Sequence, residues 1–339
     1  MKGHKTTIKD IAKVLGISAS TVSRALQDHP DINEETKHKV TDLAKQLKYK
    51  PNTIALSLKN NRSNTIGVII PQIVHHFFSS VISGIEDIAS KSNYRVMIYQ
   101  SNESYERELI NMDAMLSSYV DGMIVAMTKE TNNFDHFKSA IDDEIPMVFF
   151  DRISPELKTD QVIIDDYNAS FNLTEHLISV GCKHIIHFAG PQVLQLARLR
   201  KQGYIDALMK HNIPVDENLI FNCDKYEQSI EITKQLIESN NLPDGIFAVN
   251  DNTAIGAVVT LKKYGIKIPE QVAVAGFTNG LITMVTDPPL TTVEQNGFFM
   301  GQKAAEMILA RITNKYKGPP RIEIIPTMLI IRESTSRNI

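Results

Sequence analysis

Two sets of residues in this 339-residue chain have types and spacing that could do chemistry. The first is the run Ser18-Ala19-Ser20-Thr21-Val22-Ser23-Arg24. Its small hydroxylated side chains allow close approach to phosphates, and Arg24, one helical turn further on, is long enough to reach a guanine O6/N7 edge bidentately. The second set is scattered, each member just after a β-rich run: Gln72 with His75-His76-Phe77-Phe78, then Asp151-Arg152, Asp165-Asp166, Arg200 and Asn250-Asp251. Planar bidentate donors, carboxylates and aromatic faces suit a polyhydroxylated or carboxylated metabolite. Asp151, Asp165 and Asp251 could equally cap the helices that follow them. Cys182, His184 and His187 invite a metal or a Cys–His nucleophile, but strand residues 184 and 187 face opposite sides, so shared ligation is not expected. The chain has no Walker A run, no G-x-G-x-x-G, no G-x-S-x-G and no H-E-x-x-H, so it is expected not to be an enzyme and to need no cofactor and no metal.

The elements that must position the first set are helices. Ile8, Ile11, Ala12 and Leu15 recur at helical spacing behind a Thr7–Asp10 capping box, which starts a helix at Thr7. Gly16 ends it, and Ser18 caps a second helix whose inward residues are Val22, Ala25 and Leu26. Helices joined by so short a turn cross steeply, the helix-turn-helix arrangement. A third stripe, Val40, Leu43, Ala44 and Leu47, follows Asn33 as its cap and covers the pair. In such a module the second helix enters the major groove with its N-terminal turn facing base edges.

Charge agrees with this division. Residues 1–62 hold 12 of the 36 Lys and Arg but only 6 of the 39 Asp and Glu, a net of +6, which leaves −9 on the rest of a chain whose total is −3. A small basic head on a large acidic body suggests a polyanion-binding module attached to something with another task. Two cysteines are too few for a disulfide framework. No apolar h-region follows the N-terminal lysines, and no stretch approaches the ~20 apolar residues of a membrane span. A cytoplasmic protein with no membrane partner is expected.

From Thr65 onward β-rich runs alternate with amphipathic segments. The strand candidates are 66–70, 94–100, 122–126, 147–150, 161–164, 184–189, 245–249 and 272–275, with 321–325 and 328–331 last. Repeated strand–helix units of this length predict doubly wound parallel sheets, and their number suits two sheets side by side. Ligands in such sheets bind at the C-terminal ends of the strands, which is where the second set of residues falls.

Thr7-Ile8-Lys9-Asp10-Ile11-Ala12, Gly16-Ile17-Ser18, Thr21-Val22-Ser23-Arg24-Ala25-Leu26, Tyr49-Lys50-Pro51-Asn52, Ser57-Leu58 and Thr65-Ile66-Gly67-Val68-Ile69-Ile70-Pro71 together resemble the lactose-repressor-type (LacI/GalR) transcription regulators, over essentially the whole chain. The resemblance implies a helix-turn-helix DNA-binding domain at 1–50, a hinge helix or linker at 51–62, and an effector-binding body at 63–339. That body would have the periplasmic-binding-protein-like type I fold, two lobes joined by three crossings. It further implies a homodimeric repressor of carbohydrate or related metabolite genes, binding a pseudo-palindromic operator in double-stranded DNA and answering a small effector such as a sugar, sugar acid or sugar phosphate. A solute-binding module with no regulatory role is the alternative. By resemblance, Thr7, Ser18, Ala19, Ser20, Thr21, Ser23, Arg24, Asn52, Ala55 and Leu58 are the DNA contacts, Leu58 as a wedge between base pairs. Gln72, Phe77, Phe78, Asp151, Arg152, Arg200, Asn250, Asp251 and Thr278 are the effector contacts.

Four residues at three places depart from the family pattern. Leu56 stands where Arg is usual before Ser-Leu, which predicts a shallower salt dependence of DNA binding. His75-His76 replaces Asn-Pro, so the entrance to the first helix of the body, and the direction of Phe77, should differ. Thr278 replaces an aspartate. Either the ligand is more anionic than a neutral sugar, or the fold accepts Thr as a helix N-cap with no change of ligand.

Overall fold

The computed structural model describes residues 6–49 and 62–337. The chain divides into two compact units, residues 1–63 and 64–339.

In the first unit, α1 spans Ile8–Leu15, α2 spans Ala19–Leu26 and α3 spans Glu34–Gln46. The three starts are held by the expected caps. Thr7 N–H donates to the Asp10 carboxylate at 2.7 Å, Ser18 Oγ accepts from Thr21 N–H at 3.0 Å, and Asn33 Oδ1 accepts from Thr36 N–H at 2.8 Å. Gly16 closes α1 in the left-handed region, φ 64°, which a side chain would disfavour. Ile11, Ala12, Val22, Ala25, Val40 and Ala44 are buried together, with Leu26 and Leu43 half-buried beside them. Leu47 does not continue the stripe. Helix α3 ends at Gln46, so Leu47 becomes its C-cap and is exposed.

In the second unit two six-stranded sheets lie in separate lobes. The first has the order β11-β5-β4-β3-β1-β2 and the second β12-β10-β9-β8-β6-β7. The strands are β1 (Thr65–Ile70), β2 (Arg95–Gln100), β3 (Gly122–Val125), β4 (Met147–Phe150), β5 (Asp160–Ile164), β6 (Ile185–Ala189), β7 (Ile220–Asn222), β8 (Gly245–Ala248), β9 (Ala273–Thr278), β10 (Thr291–Glu294), β11 (Ile322–Ile325) and β12 (Met328–Ile330). All pairings are parallel except β10 with β12. The longer helices of this unit are α4 (His76–Lys91), α5 (Tyr105–Ser117), α6 (Asp135–Asp142), α7 (Asp166–Ser179), α8 (Gln195–Lys210), α9 (Tyr226–Glu238) and α10 (Asp251–Lys263). A short α11 (Ile282–Val285) and the long α12 (Gly297–Ile312) follow. The chain passes between lobes after β5, after β10 and after β11, which are the three expected crossings.

Strands β7 and β10 have no counterpart among the strand candidates. β10 reads Thr-Thr-Val-Glu, too polar to register as a buried strand, yet Thr291 and Thr292 are fully buried because their hydroxyls are spent internally. Thr292 Oγ1 donates to Asp251 at 2.6 Å and Thr291 Oγ1 to the Arg332 carbonyl at 3.0 Å. In the first lobe α4 and α12 cross with backbones almost touching. A Cβ on Gly84 would sit 2.0 Å from the Phe298 carbonyl oxygen, and one on Gly301 would sit 2.0 Å from that of Val81. The crossing exists because both positions are glycine.

Candidate functional site

Between the lobes lies a cavity of about 680 Å³, within the range of small-molecule sites. All nine expected effector residues line it. The reason is topological: Thr278 ends a strand, Gln72, Asp151, Arg152, Asn250 and Asp251 come just after one, and Phe77, Phe78 and Arg200 lie in the first two turns of the next helix, and both sheets point their C-terminal strand ends at the cleft.

The nine differ in what their polar atoms are free to do. Arg200, on α8, is buried against the face of Phe277, its guanidinium carbon 3.7 Å from the ring centre. Its Nε donates to Asp166 at 2.8 Å and its Nη1 to the Val249 carbonyl at 2.8 Å. Burial pushes the Asp166 carboxyl up to about 6, against the opposing pull of Arg200. Arg152 gives Nη1 to Glu103 at 2.7 Å and to the Met127 carbonyl at 3.3 Å, and lies over the Phe78 ring. Burial works to raise Glu103, but the charge of Arg152, its hydrogen bond and the Lys129 N–H together hold the carboxyl below its ordinary value. On both guanidiniums Nη2 makes no hydrogen bond among the described residues.

Asp151 stands between these two arginines. Its backbone is in the left-handed region, φ 57°, and burial raises its carboxyl despite Arg152 and Arg200. Its carboxylate lies 3.9 Å from Arg152 Nε and accepts no hydrogen bond among the described residues. Facing the cavity, this carboxylate is placed to accept hydrogen bonds from a ligand's donors.

Other members of the set are committed within the protein. Asn250 caps α10, accepting from Thr253 N–H at 2.9 Å, while its Nδ2 donates to the Asp224 carbonyl at 3.0 Å. Asp251 does not cap that helix with its side chain; it accepts from Thr292 Oγ1 and, at 2.9 Å, from Gly280 N–H. Asp165 does cap α7, through Asn168 N–H at 2.9 Å. Thr278 is not a helix N-cap: it ends β9 at φ 130° and donates to Gln295 Oε1 at 2.9 Å. Gln72 Oε1 meets His75 Nε2 at 2.7 Å, and His75 Nδ1 meets Asn252 Nδ2 across the cleft at 3.3 Å. An amide nitrogen only donates, so Nδ1 accepts and Nε2 carries the proton given to Gln72. Burial and the charge of Arg152 lower the His75 pKa, favouring that neutral ring. His75 thus starts α4 without a side-chain cap, and Phe77 and Phe78 still turn into the cavity wall.

The sequence reading missed Glu103, Lys129 and Asp224, which also line the cavity. Their post-strand positions were a usable signal, but their pairing across 26 to 95 residues was not. His187 is no ligand: it is fully buried against Phe247 and Tyr204, and burial pushes its pKa down to about 3.

On the first unit Ser18, Ser20, Arg24 and Thr7 are exposed, with Ala19, Thr21 and Ser23 half-buried on the same helix start. Ser18 Oγ also meets Ser20 Oγ at 2.7 Å and Thr21 Oγ1 at 2.8 Å, so the hydroxyls are held in a fixed cluster. Arg24 projects from α2 with no hydrogen bond or ion pair among the described residues. Asn52, Ala55, Leu58 and the Leu56 departure lie outside the described residues.

Residues 63–333 match the model of periplasmic binding proteins and the sugar binding domain of the LacI family, and residues 7–52 match the bacterial regulatory proteins of the lacI family. The chain belongs to the LacI family. Its members are DNA-binding transcriptional repressors, and this chain shares that function. The HTH-type transcriptional repressor CytR of Escherichia coli K12 is 32% identical over 333 residues, 97% of this chain and 96% of its own. The ribose operon repressor of Halalkalibacterium halodurans is 32% identical over 332 residues, 97% of each. The Lac repressor dimer bound to operator and the anti-inducer ONPF superposes with a TM-score of 0.87 at 22% identity, covering 98% of this chain and 99% of that one, which establishes the LacI fold along the chain. None of these matches favours a solute-binding module without a regulatory role.

Proposed function

We propose that this LacI-family protein is a cytoplasmic homodimer that represses carbohydrate genes from a pseudo-palindromic operator and binds a neutral sugar between its lobes. In this reading residues 1–50 read DNA, 51–62 are the hinge and 63–339 hold the effector. Thr7, Ser18, Ala19, Ser20, Thr21 and Ser23 set the head on the phosphates, Arg24 reads a base, and Asn52, Ala55 and Leu58 act at the hinge. Among the described residues no helix is long and apolar enough to cross a membrane.

The observation that carries the ligand class is Asp151, a carboxylate at the cavity wall that accepts no hydrogen bond among the described residues, flanked by two guanidiniums whose Nη2 atoms make none there either. Adjacent hydroxyls of a sugar donate to that carboxylate while accepting from the arginines, and Phe77 and Phe78 cover an apolar sugar face. Six carboxylates and four cationic side chains line the cavity, so the surplus charge is negative despite Thr278, and a neutral polyol is favoured over a sugar acid or sugar phosphate. The name of the ribose operon repressor among the relatives supports the same class.

Isothermal titration with neutral aldopentoses and aldohexoses, sugar acids and sugar phosphates tests the reading. One or more neutral sugars should bind, and Asp151→Asn should weaken that sugar by roughly 10- to 100-fold, the loss of one or two charge-assisted hydrogen bonds. Binding confined to anionic ligands would overturn the ligand class.

A further inference from the structure

Among the described residues one ion pair bridges the cleft. Lys129 Nζ, on the loop after β3 in the first lobe, lies 3.2 Å from Asp224 Oδ2, after β7 in the second, each side chain less than a quarter exposed. Neither end is loose. The Lys129 N–H donates at 3.0 Å to Glu103 Oε2, the same oxygen that accepts from Arg152 Nη1. The loop carrying Lys129 is pinned again one residue earlier, where Thr128 N–H donates at 2.9 Å to the fully buried Glu108, which also meets Thr131 Oγ1 and His136 Nε2. On the other side the Asp224 carbonyl accepts from Asn250 Nδ2. Each end of the bridge is therefore one hydrogen bond, or one shared carboxylate oxygen, from a side chain that lines the cavity.

We propose that Lys129 and Asp224 form a latch that holds the two lobes closed, and that Glu103 and Asn250 tie the latch to the residues facing the ligand. Both partners belong to the protein, so the latch acts before a sugar is bound and sets the closed population that a ligand meets. The apparent affinity for any ligand that requires closure falls in proportion to that population. The pair is half-buried, but the long Lys129 side chain still loses rotamer freedom on forming it, so its strength is that of a weak ion pair. The proposal rests on the cleft being the ligand site, but it is read without ligand, so its failure is distinguishable from failure of the sugar assignment.

The experiment is hydrogen–deuterium exchange of the full-length protein, without ligand, in wild type, Lys129→Asp, Asp224→Lys and the double swap. Reversing either charge should speed exchange in the cleft segments 72–79 and 249–254 at least about threefold, the scale of one weak ion pair, and the swap should return it toward wild type. Asp224→Asn, which keeps the shape, should give a smaller change in the same segments and none in α3. Wild-type exchange in both single variants overturns the latch, as does a swap that exchanges as fast as either single variant.

Discussion

At the residue scale the cavity turns on a few charges whose surroundings are unequal. Asp166 is the partner of Arg200, and its carboxyl is raised from 3.8 to about 6 by burial. An acid whose folded pKa exceeds its unfolded value binds its proton more tightly when folded. This group's contribution to stability is therefore fully present below 3.8 and is lost as pH rises through about 6. Carbon-detected NMR of the aspartate carboxyls should show one titrating near 6 that vanishes in Asp166→Asn. An Asp166 signal titrating at the ordinary 3.8 would contradict the account. On the head, Arg24→Ala should weaken binding to the selected operator by about 1–3 kcal/mol while leaving non-specific binding nearly unchanged, as expected for a base contact. An equal loss on both DNAs, measured by anisotropy, would make Arg24 a phosphate contact instead.

At the scale of elements, glycine decides how helices meet. Gly84 and Gly301 let α4 and α12 touch backbone to backbone, so Gly301→Val should lower stability by at least roughly 1–3 kcal/mol in urea unfolding. An unchanged midpoint would show that the crossing relaxes. Much of this scale was legible in the sequence: Thr7, Ser18 and Asn33 cap the three head helices because short polar side chains satisfy the first free N–H groups locally. β10 was not legible, since its threonines are buried only through bonds to Asp251 and Arg332, distant in sequence. Most of the nine cavity residues could be placed because post-strand position predicts a cleft, while Arg200 and Thr278 were reached through the family resemblance. Which of them would be open to a ligand could not, because Thr292, Gly280 and Asp224 engage Asp251 and Asn250 through tertiary contacts.

At the scale of the whole molecule, the proposed reading of a pseudo-palindromic operator needs two copies. The turn carrying α11 leaves Leu281, Ile282, Met284 and Val285 at least half exposed, an apolar patch suited to a like surface on a second copy. Leu281→Glu with Val285→Glu should shift the protein from dimer to monomer in sedimentation equilibrium at micromolar concentration, and a dimer unmoved by both changes would place the interface elsewhere. The central claim is that a sugar in the cleft and operator DNA on the head act on one equilibrium, so their affinities must be linked by a common factor. The direct test is anisotropy of the selected operator, titrated with wild type and with Arg152→Ala at fixed salt, with and without the sugar found by calorimetry. The account predicts that the sugar shifts wild-type operator affinity at least about fivefold, the lower end of usual allosteric couplings, and that Arg152→Ala binds the operator but no longer responds. Operator affinity identical with and without saturating sugar in the wild type would contradict it.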